Sequence, residues 1–512
     1  MLARVQSAAL VGVEAVSVGV EVDVSPGLPC FEIVGLPGAS VRESRDRVRS
    51  AIRNAGHPFP LQRITVNLAP AVLRKEGALF DLPIALALLA AAGVVPADAL
   101  RGRLVAGELS LDGAVRPVRG MVAVALLARA MGMTLMLPEE NLDEGEVVEG
   151  LRLEGVANLT AAVAFLRDGG APALHRARPE RGVSSPGPVG EPDLADVAGQ
   201  AAGKRALEIA AAGNHSLLLF GPPGAGKTML ARRLPSLLPP LAPEEALAVT
   251  RIHSVAGTLP PGSGLMTTRP FRAPHHTVSL AGLVGGGATV RPGEITLAHG
   301  GVLFLDEFTE FPAQLREALR QPLEERTVVV SRAGAKVALP AAALLVLACN
   351  PCPCGYAGDD WVACRCRPEE VLRYRRRLSG PLLDRIDLAV RLGRLSAGEL
   401  AAEAGETSAA VRARVIQARR RQTVRFDGGT GRSNADLGPG ELRRWAALDP
   451  RAWRILEKAM ERFGLSARGY HRSLRVARTI ADLAGEDVVR AEHVAEALEY
   501  RVERVVGSGG VV

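Results

Sequence analysis

The chain has 512 residues, an apolar fraction of 47% and a formal charge of +7, which is enough for two to four domains with cores of their own. Its longest apolar run, LFDLPIALALLAAAGVV, is too short to cross a bilayer and contains Asp81, and Glu14 interrupts what would have to be an apolar signal core, so a cytoplasmic chain without membrane contact is expected. The positive charge is nearly all arginine and aromatics make up 4%; a polyanionic partner would be held by its backbone, not by a broad platform of stacked bases.

In chain order, residues 1–170 mix alternating apolar stretches (AVSVGVEVDV, RITVNLA, GLRLEGV) with helical ones (SVRESRDRVRSAIRNAG, NLTAAVAFL), the pattern of a compact α/β domain. The stretch 171–192 is rich in Gly, Pro and Arg without periodicity and reads as an exposed linker. Residues 193–392 alternate helices, strands and a Gly-rich loop, as in a nucleotide-binding α/β unit. Residues 393–512 are almost wholly helical.

Within 193–392 the segment SLLLFGPPGAGKTMLARRL reads as strand, loop and helix, and GPPGAGKT fits G-x-x-x-x-G-K-[ST]. Gly221, Gly224 and Gly226, with Pro222, Pro223 and Ala225 between them, let backbone amides wrap phosphates, and Met229 follows in the helix. Lys227 is placed to meet the β and γ phosphates and Thr228 to hold Mg2+. The apolar strand GGVLFLDEF ends in two acids. Carboxylates at the tip of a buried strand are costly unless used; Asp306 is expected on the metal and Glu307 on the attacking water. A third strand, AALLVLACN, delivers Asn350, a polar tip able to orient water or γ-phosphate. In SGPLLDRIDL, Arg385 stands between Asp384 and Asp387, either as a guanidinium for the charge of phosphoryl transfer or as an ordinary surface ion pair.

Five of the six cysteines fall between Cys349 and Cys366. Structural disulfides are not expected in a reducing compartment. Cys349 belongs to the strand that carries Asn350. Cys352, Cys354, Cys364 and Cys366 form two C-x-C pairs, which either supply four thiolates to one Zn2+ or remain free thiols.

Taken together, RPFRAPHHT, RPGEITLAHGGVLFLDE, CNPCPCG, SGPLLDRIDL and SARGYHRSLRVARTIADL resemble the magnesium-chelatase-like AAA+ ATPases, and specifically the ComM/YifB family, over essentially the whole chain. The resemblance implies a P-loop ATPase core with a C-terminal helical lid, ATP and Mg2+ as ligands, and a ring, a hexamer, of identical subunits. It makes Asn350 the first sensor and Arg385 the arginine finger, and implies a second sensor arginine, for which Arg468 comes first and Arg472 second. RPFRAPHHTVSLAGLVGGGATVRPGEITLAHGG resembles the family's inserted hairpin region facing the pore; His275 and His276, adjacent on a presumed strand, would point in different directions and so not pair on a metal. The N-terminal domain resembles the Lon peptidase domain without its chemistry, since KEGALFDLPIALALL contains no serine and valines occupy positions 122 and 124 where the lysine would stand.

The family resemblance also implies DNA as partner and a branch-migration helicase supporting recombination during natural transformation. The six arginines between Arg412 and Arg425 are compatible with phosphate contacts, or form a solvated face, or pair with acids. Two rivals are an ATP-driven chaperone for metal insertion, as in magnesium chelatase, whose resemblance is expected only in the central and C-terminal parts, and an ATP-dependent protease, against which the missing dyad speaks.

Overall fold

A computed structural model describes residues 1–168, 192–260, 262–287, 290–332, 335–378, 380–401, 405–426 and 431–506. All but the last residue of the expected linker 171–192 lies outside them.

The N-terminal part is built on a seven-stranded mixed sheet in the order Cys30–Val34, Arg63–Ala69, Glu14–Ser25, Leu2–Val11, Arg103–Val105, Thr134–Pro138 and Leu153–Val156. The two long central strands form an antiparallel hairpin, and alternate residues such as Val18, Val20 and Val22 are fully buried, as the period of two requires. Against this sheet packs the helix Asp81–Ala91, every residue of which is buried. This is the long apolar run of the sequence. Its one charge, Asp81, is answered by the Arg47 guanidinium at 2.6 Å and 3.0 Å, which keeps a buried carboxylate tolerable.

A second sheet is wholly parallel, in the order Phe271–Arg272, Val302–Leu305, Leu344–Cys349, Leu217–Phe220, Leu388–Arg391. Its three central strands are buried at every position. Covered on both faces, they appear in the sequence as continuous apolar runs instead of alternation. The strand that leads into the Gly-rich loop lies between the strand ending at Cys349 and the strand 388–391, so the order in which strands are added switches sides beside it; ligands of open α/β sheets bind outside the carboxyl ends of strands at such a point.

Helices Ser408–Arg425, Pro439–Trp445, Pro450–Phe463, Ala467–Leu483 and Ala491–Glu499 follow and share one core with the parallel sheet. Two features were not anticipated. One is an antiparallel hairpin, Thr327–Arg332 with Ala335–Pro340, longer than the hairpin Gly285–Gly286 with Arg291–Pro292 inside the expected insertion. The other is the docking of the N-terminal part onto the helix Pro243–Ala256. There the Gly120 amide donates to the Ser254 carbonyl at 3.0 Å, the Ser254 hydroxyl donates to Glu144, and Arg251 pairs with Glu14 at 2.7 Å. Among the described residues, no helix is long and apolar enough to cross a membrane.

Candidate active site

The strand Leu217–Phe220 runs straight into Gly221. Its amide donates to the Cys349 carbonyl at 3.1 Å, and a Cβ there would stand 2.3 Å from the Leu392 carbonyl oxygen, so only glycine fits. Gly224 and Gly226 take φ of +80° and +83°, left-handed values that turn successive amides toward one point. Pro222 and Ala225 are buried on the inner side of this loop, while Pro223 and Met229 are exposed. The buried Lys227 ammonium donates to the carbonyls of Gly221 (2.7 Å) and Pro222 (2.9 Å) and to Asn350 Oδ1 (2.9 Å). Burial pulls its pKa below the ordinary lysine value, and the nearby Asp306, Cys349 and Glu307 oppose that shift.

Thr228 Oγ1 donates to Asp306 Oδ2 at 2.6 Å, which joins the loop to the acidic strand. Glu307 adopts φ +48° and ψ 43°, a left-handed conformation that costs a residue with a Cβ roughly 1 kcal/mol. This turn leaves Asp306 against Thr228 and sends Glu307 outward, half exposed, to 3.8 Å from His276 Nδ1. Four side chains from three strand ends, those of Lys227, Thr228, Asp306 and Asn350, thus meet, with Glu307 beside them. A caged ammonium, a hydroxyl on a carboxylate and a glycine cradle make up the donor set that a magnesium nucleotide requires, and the residues fit it.

His275 and His276 do not lie on a strand. They occupy an irregular turn in which their rings approach to 3.9 Å between centroids, so the expectation that adjacent residues diverge fails there. The contact from His276 to Glu307 was not anticipated; the pair was visible in RPFRAPHHT, but its backbone was not.

Arg385 is placed elsewhere. Leu388 pairs with Leu217 and Arg391 with Phe220, so Arg385 precedes the amino end of its strand while the phosphate loop follows the carboxyl end of the neighbouring strand, with the whole four-residue strand, about 13 Å at a strand's rise per residue, between them. Its guanidinium pairs with Glu324 at 2.5 Å, not with Asp384 or Asp387; Asp387 accepts from the Ser216 amide and faces His215 at 3.5 Å. Arg385 lines a cavity of about 500 Å3 together with Arg468, His471, Arg472 and Arg475. Arg472 is buried and donates to the carbonyls of Leu383 (2.9 Å) and Ile386 (2.8 Å), the turn that carries Arg385, whereas Arg468 is exposed.

The arginines of the helix Ser408–Arg425 are largely engaged within the chain. Arg414 pairs with Glu208 and Glu406, Arg419 donates to the Ala211 carbonyl, Arg421 pairs with Asp487 and Arg425 with the buried Asp482. Arg412 and Arg420 remain exposed, so the expected row of phosphate contacts reduces to two. In the N-terminal part, Val122 and Val124 are fully buried, and Lys75 directs its ammonium at the carbonyls of Gly35, Leu68 and Pro70. The sulfur atoms of Cys352, Cys354, Cys364 and Cys366 all lie within 4.8 Å of one another. Cys349 stands apart, its thiol pushed up to about 12 by complete burial.

Family models described as "Magnesium chelatase, subunit ChlI", "Subunit ChlI of Mg-chelatase" and "Magnesium chelatase, subunit ChlI C-terminal" match residues 193–400, 20–141 and 405–501. The second match corrects the expectation that likeness to the chelatase subunit begins only in the central part. The YifB protein of Escherichia coli strain K12 is 46% identical over 503 residues, 98% of this chain and 97% of that protein. The competence protein ComM of Haemophilus influenzae is 45% identical over 505 residues, again 98% and 97%. Over 99 residues, 19% of this chain and 11% of the other, the DNA replication licensing factor mcm-6 of Caenorhabditis briggsae is 31% identical. With a P-loop core on a five-stranded parallel sheet, a C-terminal helical part and this identity from end to end, the chain belongs to the ComM/YifB family of magnesium-chelatase-like AAA+ ATPases.

Proposed function

We propose that the chain is an ATP-driven ring motor acting on DNA, a branch-migration helicase that supports recombination during natural transformation and works in the cytoplasm as a homo-oligomer, a hexamer. The observation that carries this reading is the division of the site between two edges of one sheet. Lys227, Thr228, Asp306, Glu307 and Asn350 gather at the carboxyl ends of the strands, while Arg385 and Arg468 face a cavity at the amino ends. Head-to-tail packing of copies sets one edge against the other and closes into a ring.

Bound Mg2+ and ATP supply the reacting phosphoryl group and a cation that neutralises its charge. Lys227 would contact the β and γ phosphates, Thr228 and Asp306 would hold the metal, Glu307 would polarise the attacking water, and Asn350 would orient it. Arg385, the finger, and Arg468, the second sensor, come from the neighbouring copy; Arg472 holds the turn beneath Arg385. For DNA, the support is the likeness to a competence protein and to a DNA replication licensing factor, and the exposed Arg412 and Arg420.

The rival reading, a metal-insertion chaperone, draws on the three chelatase family models. A mixing experiment tests the shared site. Lys227→Ala and Arg385→Ala, each inactive alone, should recover ATP hydrolysis when co-assembled, since an intact loop then meets an intact finger. No recovery at any ratio contradicts a site built between copies. Stimulation of ATPase by branched DNA favours the DNA motor; stimulation by a porphyrin-binding partner and none by DNA favours the chaperone.

A further inference from the structure

The cysteine cluster lies outside the ATP site but touches it. Around a tetrahedral Zn2+ with sulfur ligands at about 2.3 Å, neighbouring sulfurs are about 3.8 Å apart. Here Cys352 Sγ lies 3.4 Å from Cys354 Sγ and 3.7 Å from Cys364 Sγ, and Cys354 Sγ lies 3.6 Å from Cys364 Sγ. These are ligand-to-ligand spacings, well beyond the roughly 2.05 Å of a disulfide. Two sulfurs also accept backbone amides, Cys352 from Ala357 at 3.3 Å and Cys366 from Cys354 at 3.4 Å. Such outer bonds favour thiolates and fix ligand orientation.

The loop so gathered is tied to the phosphate site on three sides. It begins at Cys352, two residues after Asn350, whose amide oxygen holds Lys227. Gly355, with φ +88°, packs so tightly on Pro223 that a Cβ would stand 2.5 Å from its Cδ. Farther along, Arg391 donates to the Gly358 carbonyl at 2.7 Å, and Arg394 pairs with the buried Asp359 at 3.2 Å. Between those two arginines, the Gly393 carbonyl accepts from Gln200, which also donates to Ala225 of the phosphate loop.

We infer that Cys352, Cys354, Cys364 and Cys366 bind one Zn2+, and that the resulting module is a strut that sets the phosphate loop and Asn350 in their working positions. ATP hydrolysis then depends on a metal that never touches nucleotide. The site stands whatever polymer the motor acts on, because it concerns binding and hydrolysis of nucleotide alone.

The full-length protein, purified under reducing conditions, should carry one zinc per chain by elemental analysis. Cells grown with cobalt should yield protein with the intense near-ultraviolet sulfur-to-cobalt bands and visible bands of a tetrahedral thiolate site. Absence of zinc together with four freely titratable thiols, or four-coordinate bands that survive unchanged in Cys364→Ser, overturns the site. The strut is tested separately by Gly355→Ala, which keeps all four ligands. It should retain one zinc per chain and lose tenfold or more in affinity for a fluorescent ATP analogue; full zinc with unchanged nucleotide affinity overturns the strut.

Discussion

At the scale of single residues, the phosphate loop was legible because its chemistry forces the sequence. A backbone that wraps phosphates needs glycine where φ is positive and where Leu392 crowds Gly221, so the spacing itself carries the geometry. Thr228 was legible from the same loop spacing, and Asp306 and Asn350 for a related reason: each follows the end of an apolar strand where a polar group is costly without a partner. The ion-pair partner of Arg385 was not legible, because Glu324 is 61 residues earlier in the chain, and sequence shows only neighbours. Glu307 provides the residue-scale prediction. Glu307→Gln keeps the size and the left-handed turn but removes the carboxylate, so it should bind ATP as well as the wild type while hydrolysis falls at least 100-fold, in line with loss of a general base. A matched fall in affinity, measured by equilibrium binding, would assign Glu307 to the fold of the loop instead.

At the scale of elements, the helix Ser408–Arg425 shows how far composition can mislead. A row of arginines reads as a phosphate-binding face until the neighbouring elements are placed, and then four of the six meet carboxylates or carbonyls of the same chain. Arg425 and Asp482 are both nearly buried, and Asp482 is also held by Arg478 at 3.0 Å and Asn434 at 2.7 Å. Arg425→Ala removes charged hydrogen bonds without leaving Asp482 unpaired and should cost about 1.5–3 kcal/mol in denaturant unfolding. Arg412→Ala and Arg420→Ala should stay within about 0.5 kcal/mol of wild type, yet each should reduce the slope of log affinity for DNA against log salt by about one. Equal stability losses for all three would mean that the exposed pair is structural too. The histidine pair makes the same point in reverse: a strand assumed for HisHis gave the wrong directions, and the turn brings one ring to Glu307.

At the scale of the whole molecule, the two sheets were legible from the change of pattern along the chain, alternating in the first and continuous in the second. Their docking was not, since Glu144, Ser254 and Gly120 have no shared motif. Burial raises the pKa of Glu144, with hydrogen bonds from Ser254 and Asn141 opposing. For an acid the sign is clear: the docked state holds the proton more tightly, so its contribution to stability is complete below the ordinary carboxyl value of about 4.3 and is lost as pH rises through the raised value. Across that window the melting temperature should fall more for wild type than for Glu144→Gln, which keeps the neutral shape; identical profiles would remove Glu144 from the docking energetics.

The proposed DNA motor requires that hydrolysis at Lys227 and Glu307 drive movement of strands. The most direct measurement is strand exchange on a synthetic three-strand or Holliday junction, with wild type, Lys227→Ala and Glu307→Gln side by side. ATP should drive branch movement by the wild type alone, with Lys227→Ala and Glu307→Gln both inactive. Wild type that hydrolyses ATP but neither binds nor moves any junction would contradict a DNA motor.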